Sequence, residues 1–166
     1  IGRPMKNSTV EVTPDGNIIV SGLTIMSGYV ADPENTARVL KDGKIYSADL
    51  GYLDSDGLIH LKGRQGDVIN VGGFKVDPSE VENAASSHPS VKDCICIPAE
   101  HPVIGTVLKL LVVLADGIEL DKRSIAVHIK SKLDPHKVPT YYEAVQSIQR
   151  TYNGKLDRKY YKTNTK

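Results

Sequence analysis

Three stretches of this sequence pair residue types with possible chemistry. In IYSADLGYLDSDGLIHLKGR, Asp49 stands near the end of one apolar run and Arg64 at the end of the next. A carboxylate can accept two hydrogen bonds from a vicinal diol such as a ribose, and a guanidinium offers a planar fork to a phosphate or to the same sugar. The same two residues on neighbouring strands also make an ordinary exposed ion pair, which stabilises little. In GRQGDVINVGGFKVDPSEVE, Gly66 lies between stretches of different composition and reads as a joint, because glycine has wide φ/ψ freedom. Gly72-Gly73 is either a hairpin turn or a place where missing side chains let another molecule approach the backbone. In TYNGKLDRK, Asn153-Gly154 makes a turn with Lys155 at its tip, either simply solvated or held out to reach another domain's site.

The elements that must position these residues change character along the chain. VEVTPDGNIIV and IYSADLGYLDSDGLIHLKGR each join two apolar runs through an Asp-Gly turn and predict β-hairpins. Between them DPENTARVLKDG predicts a short helix, with Asp32 as N-cap, Pro33 at its first position and Gly43 beyond its end. After the joint, DVINV and FKV predict a small hairpin around Gly72-Gly73. DPSEVENAASS predicts a helix with Asp77 as cap and Glu80 completing a capping box. VKDCICIP and VLKLLVVLA predict strands, the second apolar enough to be buried on both faces. DKRSIAVHIKSKL predicts an amphipathic helix with Ile125, Ile129 and Leu133 on one stripe, YYEAVQSI a strand, and YNGKLDRKYY a turn into a last short helix. The fold class is therefore α+β: a β-hairpin-rich segment over residues 1–65, then a small α+β domain over 66–166 with a mixed sheet and flanking helices.

Bulk properties narrow the function. With 25% charged and 40% hydrophobic residues, the 166-residue chain is globular and can build a core. A net charge of +1 gives no support to a nucleic-acid partner. No apolar run approaches the length of a membrane span and no signal peptide stands at the N-terminus, so a cytoplasmic protein is expected. Cys94 and Cys96 would share one face of a strand and read as core thiols, not as a metal or redox pair, and no metal site is expected. The first residue is Ile, which fits a piece of a longer protein.

GNIIVSGLTIMSGY, IYSADLGYLDSDG, GRQGDVINVGGFKVDPSEVE and NGKLDRK, in that order and at these intervals, resemble the C-terminal part of the adenylate-forming (AMP-binding) superfamily. The acyl-CoA synthetase branch is the nearest in look, and HPSVKDCICIPAEHPVIG is similar to the superfamily's helix-to-strand passage. On this resemblance, residues 1–65 are the last strands of a large N-terminal nucleotide-binding domain and 66–166 are the C-terminal lid. It implies that Asp49 holds the ribose hydroxyls of ATP and that Arg64 contacts the nucleotide's ribose and phosphate region. Gly66 falls on the hinge about which the lid rotates, Gly72 and Gly73 lie beside the pantetheine arm after rotation, and Lys155 bridges the carboxylate substrate and the α-phosphate. The co-substrates implied are a small carboxylic acid, ATP with Mg2+, and CoA, bound mainly by the large region that precedes this chain in the family.

This sequence departs from the family pattern at three places. Ser47-Ala48-Asp49 replaces the usual Thr-Gly-Asp, and Gly66 replaces the usual Asp or Lys of the hinge. Gln149-Arg150-Thr151 replaces Pro-Arg-Thr before the lysine, which predicts a looser loop. The superfamily's Ser/Thr/Gly-rich phosphate loop does not occur in these 166 residues, so the chain alone is expected to be inactive. Two alternatives stay open: an adenylation domain that loads a carrier-protein phosphopantetheine, and a non-catalytic stand-alone lid used for binding.

Overall fold

The computed structural model describes residues 2–164. Contacts divide the chain into two compact units, Ile1–Gly66 and Asp67–Lys166.

The first unit is built from hairpins. β1 (Ser8–Val12) and β2 (Asn17–Gly22) pair antiparallel across the Pro-Asp-Gly turn. α1 (Pro33–Val39) starts where Asp32 accepts the Asn35 amide proton at 3.0 Å, and it stops at β3 (Leu40–Lys41). β4 (Lys44–Leu53) and β5 (Ile59–Arg64) form the second hairpin, and the sheet runs β1-β2-β4-β3 with β5 also on β4. Ile18 and Ile19 are the buried apolar side chains among the described residues of this unit, while Leu23 and Val30 are 89% and 97% exposed. A sheet with so small a core needs a further layer to bury its apolar face.

The second unit begins with the hairpin β6 (Ile69–Val71) and β7 (Phe74–Val76), followed by α2 (Pro78–Ser86). Its sheet has β9 (Gly105–Leu114) at the centre, antiparallel to β8 (Val91–His101) and parallel to β10 (Tyr141–Ala144). α3 (Lys122–Lys130) precedes β10, and α4 (Arg158–Asn164) closes the described chain. This is an α+β fold with a mixed sheet, as the sequence predicts. The period of two along β8 decides the layers. Cys94 and Cys96 point to one face, packed with Leu108, Leu110 and Val112 under α2 and α3. Ile95 and Ile97 point to the other, packed with Leu111 and Ile148. Ile125 and Ile129 are fully buried, whereas Leu133 lies beyond the end of α3 and packs on the same core from the following turn.

One expected contact is replaced. Asp77 caps α2 by accepting the Ser79 amide proton at 2.9 Å, but Glu80 does not close a capping box. Its carboxylate accepts from Lys137 Nζ at 2.5 Å instead, because a half-buried ammonium outcompetes a neutral amide for the same oxygens. No helix among the described residues is long and apolar enough to cross a membrane.

Candidate functional site

Asp49 and Arg64 face each other across the β4–β5 ladder, and Arg64 Nε donates to Asp49 Oδ1 at 3.0 Å. The surroundings explain why that register survives. Ser47 Oγ donates to the Ile18 carbonyl at 3.0 Å and accepts the Asp49 amide proton at 3.2 Å, so the serine in place of the family's threonine still ties the strand down. The ladder then shifts register between Leu50 and Gly51. A Cβ on Gly51 would stand 2.3 Å from the His60 carbonyl oxygen, so only glycine permits that close approach. The pair is an exposed ion pair, as its spacing allowed, with 65% of the Arg64 side chain and 35% of Asp49 open to solvent. Asp49 Oδ2 and the Nη atoms of Arg64 make no hydrogen bond among the described residues, so both groups have capacity for a further partner. A groove beside them is lined by Ile18, Arg38, Tyr46, Ser47, Ala48 and Gly66, of which Arg38 and Tyr46 were not singled out from sequence.

Gly66 is the last residue of the first unit. It is exposed, its φ lies outside the left-handed region, and a Cβ there would meet nothing within 4 Å. The conformation seen therefore does not itself demand glycine. Gly72 and Gly73 do demand it, with φ of 57° and 93° at the two turn positions between β6 and β7. Asn70 Oδ1 accepts the Gly73 amide proton at 3.0 Å and locks the turn. Space beyond the turn is open, since a Cβ on either glycine would touch nothing within 4 Å. Phe74, directly after it, is 56% exposed and stacks on His136 with ring centroids 4.4 Å apart.

Lys155 is exposed, and its ammonium makes no ion pair or hydrogen bond among the described residues. The loop below it is not loose. Thr151 N donates to the Lys155 carbonyl at 2.8 Å and Gly154 N to the Thr151 carbonyl at 2.9 Å, with Gly154 at φ 80°. Gln149, where the family has proline, uses the amide proton that proline lacks: Gln149 N donates to Tyr161 Oη at 2.9 Å, and its carbonyl accepts from Asp157 N at 3.0 Å. Arg150 donates from Nη1 to the Gly154 carbonyl at 3.0 Å and from Nη2 to both Asp93 oxygens at 2.8 and 2.7 Å.

Three residues after Lys155, Arg158 anchors α4. Its side chain, 15% exposed, donates from Nη1 and Nη2 to Glu82 at 2.8 and 2.6 Å and approaches Asp67 at 3.3 Å. Burial works against the charge on Arg158, but hydrogen bonding and Coulomb attraction from Glu82, with Asp67 adding to them, outweigh it and raise its pKa. Glu82 Oε1 also accepts the Cys96 amide proton at 2.8 Å, covering part of the open edge of β8. Sequence inspection missed Asp93, Arg150, Glu82 and Arg158 as loop supports. Their partners lie 57 and 76 residues apart, beyond any local pattern.

Asp49 and Arg64 thus belong to one unit, and Gly72, Gly73 and Lys155 to separate elements of the other. Among the described residues no three His, Cys, Asp or Glu side chains converge as metal ligands. Residues 80–155 match the family described as the AMP-binding enzyme C-terminal domain. Over 144 residues the chain is 35% identical to a long-chain-fatty-acid–CoA ligase of Bacillus subtilis (strain 168), covering 87% of this chain and 26% of the ligase. An amide bond synthetase from Marinactinospora thermotolerans superposes with a TM-score of 0.87 at 33% identity, over 98% of this chain and 36% of that one. An o-succinylbenzoate CoA synthetase from Bacillus subtilis, solved with its acyl-adenylate intermediate, superposes with a TM-score of 0.86 at 26% identity, over 94% and 34%. The chain therefore spans about a quarter to a third of the length of these relatives.

Proposed function

Since this chain belongs to the adenylate-forming (AMP-binding) superfamily, as its C-terminal part, we propose that the protein carrying it is an AMP-forming acyl-CoA synthetase. In this reading a carboxylic acid and ATP give an acyl-adenylate and pyrophosphate, and the thiol of CoA then displaces AMP to give the thioester. The observation that carries the reading is Lys155: an exposed ammonium without an ion partner among the described residues, raised on a hydrogen-bonded turn. A group so placed can be aimed at oxygens that gain negative charge as the carboxylate attacks the α-phosphate, a contact commonly worth about 10²–10³ in rate.

The other residues take roles consistent with their surroundings. Asp49 keeps one carboxylate oxygen for the ribose hydroxyls, and Arg64 keeps its terminal nitrogens for the nucleotide. The Gly72-Gly73 turn, with open space above it, is the surface offered to the pantetheine arm, and Gly66 is the joint on which the second unit turns. The first unit, short of core and apolar on its surface, supplies the final strands of a larger nucleotide-binding domain. Magnesium would arrive with the triphosphate.

The test is Lys155→Ala in the full-length parent. Pyrophosphate exchange should fall by about a hundredfold or more, while thioester formation from a supplied acyl-adenylate stays within about twofold. Equal losses in both half-reactions would make Lys155 structural and refute its role. Offering CoA, a phosphopantetheinylated carrier protein and an amine in parallel identifies the acceptor. The amide bond synthetase similarity makes the amine arm informative.

A further inference from the structure

We infer that Arg150 is a positioning residue for Lys155, acting through Asp93 and the Gly154 carbonyl; the inference rests on the adenylation reading above. The Gly154 carbonyl and the Lys155 amide belong to one peptide plane. Arg150 Nη1, at 3.0 Å from that carbonyl, therefore sets the orientation from which the Lys155 side chain departs. The guanidinium is itself fixed at its other end by both oxygens of Asp93, at 2.8 and 2.7 Å. Asp93 is in turn fixed to the sheet, because its Oδ1 accepts the Cys94 amide proton at 3.0 Å. Cys94 and Ile95 are 3% and 0% exposed, so β8 is a rigid mount. The chain of contacts runs from a buried strand, through a carboxylate and a guanidinium, to the peptide that carries the lysine.

An ordinary surface pair would join two side chains and end there. Arg150 instead joins a side chain to a backbone carbonyl, and only a planar group with several nitrogens can reach both at once. The loop also leans on the sheet through Leu156, which packs against the cluster of Ile95, Ile97, Leu111 and Ile148, but that contact follows Lys155 and does not orient the Gly154–Lys155 peptide. Among the described residues its polar links to the rest of the second unit are the Arg150 contacts, the Gln149–Tyr161 hydrogen bond and the anchoring of α4 by Arg158. Of these, the Arg150 contact alone touches the lysine-bearing peptide. Pairing with Asp93 also directs the second cation of the loop toward the sheet, leaving Lys155 as the charge that projects.

The experiment uses the full-length parent with Arg150→Ala, Arg150→Lys and Asp93→Asn, each made alone and together with Lys155→Ala. Displacing a catalytic group by about an ångström costs up to about a hundredfold, so Arg150→Ala should lower kcat for pyrophosphate exchange by about ten- to a hundredfold. The KM for ATP and the rate of thioester formation from a supplied acyl-adenylate should stay within about twofold. Arg150→Lys and Asp93→Asn should show the same split at smaller size, since each keeps the fold and part of the contact. On the Lys155→Ala background, Arg150→Ala should have no further effect beyond about twofold, because there is no longer a lysine to position. The same factor with and without Lys155, or equal losses in both half-reactions, overturns the inference. If the parent forms no acyl-adenylate at all, the functional reading fails, and amide exchange decides the inference separately. Arg150→Ala should speed exchange at Gly154 and Asp157, whose amides close the loop. Unchanged protection there overturns it.

Discussion

The buried ion cluster beneath α4 allows its strength to be worked out and measured. Replacing Arg158 with methionine keeps much of the packing volume but removes the guanidinium from Glu82, whose side chain is 9% exposed. Contacts of 2.8 and 2.6 Å place the charge centres about 4 Å apart, which at an effective dielectric near 20 is about 4 kcal/mol of attraction. Little of this is screened, and the stranded carboxylate keeps only the Cys96 amide as partner. Asp67, the other acid, retains Lys162 at 3.1 Å, so its loss is small. Arg158→Met should therefore destabilise the second unit by about 3–5 kcal/mol. Glu82→Gln still accepts from Cys96 and leaves Arg158 beside Asp67, and should cost about 2 kcal/mol. The double variant strands no charge at this position. It should cost less than Arg158→Met alone, giving a coupling of about 2 kcal/mol or more. The assay is urea unfolding of the 166-residue chain, followed by the reactivity of Cys94 and Cys96 toward a thiol reagent. Both cysteines lie in the second unit, so they report its unfolding and not that of the first. A single-variant cost below about 1 kcal/mol, or strict additivity of the two changes, would refute the reasoning.

Three further outcomes are expected. Burial pushes the Cys94 thiol up to about 11 from an ordinary value near 9, so the folded state keeps a proton that the unfolded state releases. Stability from this thiol is then intact below pH 9 and falls as pH rises toward 11, by up to about 3 kcal/mol, and a Cys94→Ala variant should show a flatter pH profile in urea melts. The Tyr142 hydroxyl is buried with no hydrogen-bond partner among the described residues, and burial pushes its pKa to about 12. Tyr142→Phe removes that unsatisfied group and should raise stability by about 1 kcal/mol; a loss on thermal or urea unfolding would reveal a partner for the hydroxyl. Gly73→Ala forces a side chain onto a φ of 93° and should cost about 1–2 kcal/mol, whereas Gly66→Ala should change stability by less than about 0.5 kcal/mol, both measured by urea unfolding.

Short-range pattern carried much of this protein. The alternation in VKDCICIP already places Cys94 and Cys96 on one face, because side chains on a strand alternate strictly. The caps at Asp32 and Asp77 and the turn at Gly72-Gly73 are equally local, each decided by residues within a few positions of one another. The shift from hairpins to an α+β unit is visible in composition and apolar spacing. What pattern could not supply is which charge meets which. Glu80 satisfies the capping-box spacing, yet it pairs with Lys137, 57 residues away, because chain reversal through the sheet brings that ammonium closer than the neighbouring amide. Arg150 and Asp93, Glu82 and Arg158, are joined in the same way. Each of these side chains looks like one more solvated charge along the sequence. They become partners because β8 and β9 pair over their length, α2 packs on the sheet, and the closing loop and α4 return to the edge of β8. A lysine on an Asn-Gly turn can be read from three letters. The rigidity of that turn comes from oxygens and nitrogens that only a folded sheet places at hydrogen-bonding distance.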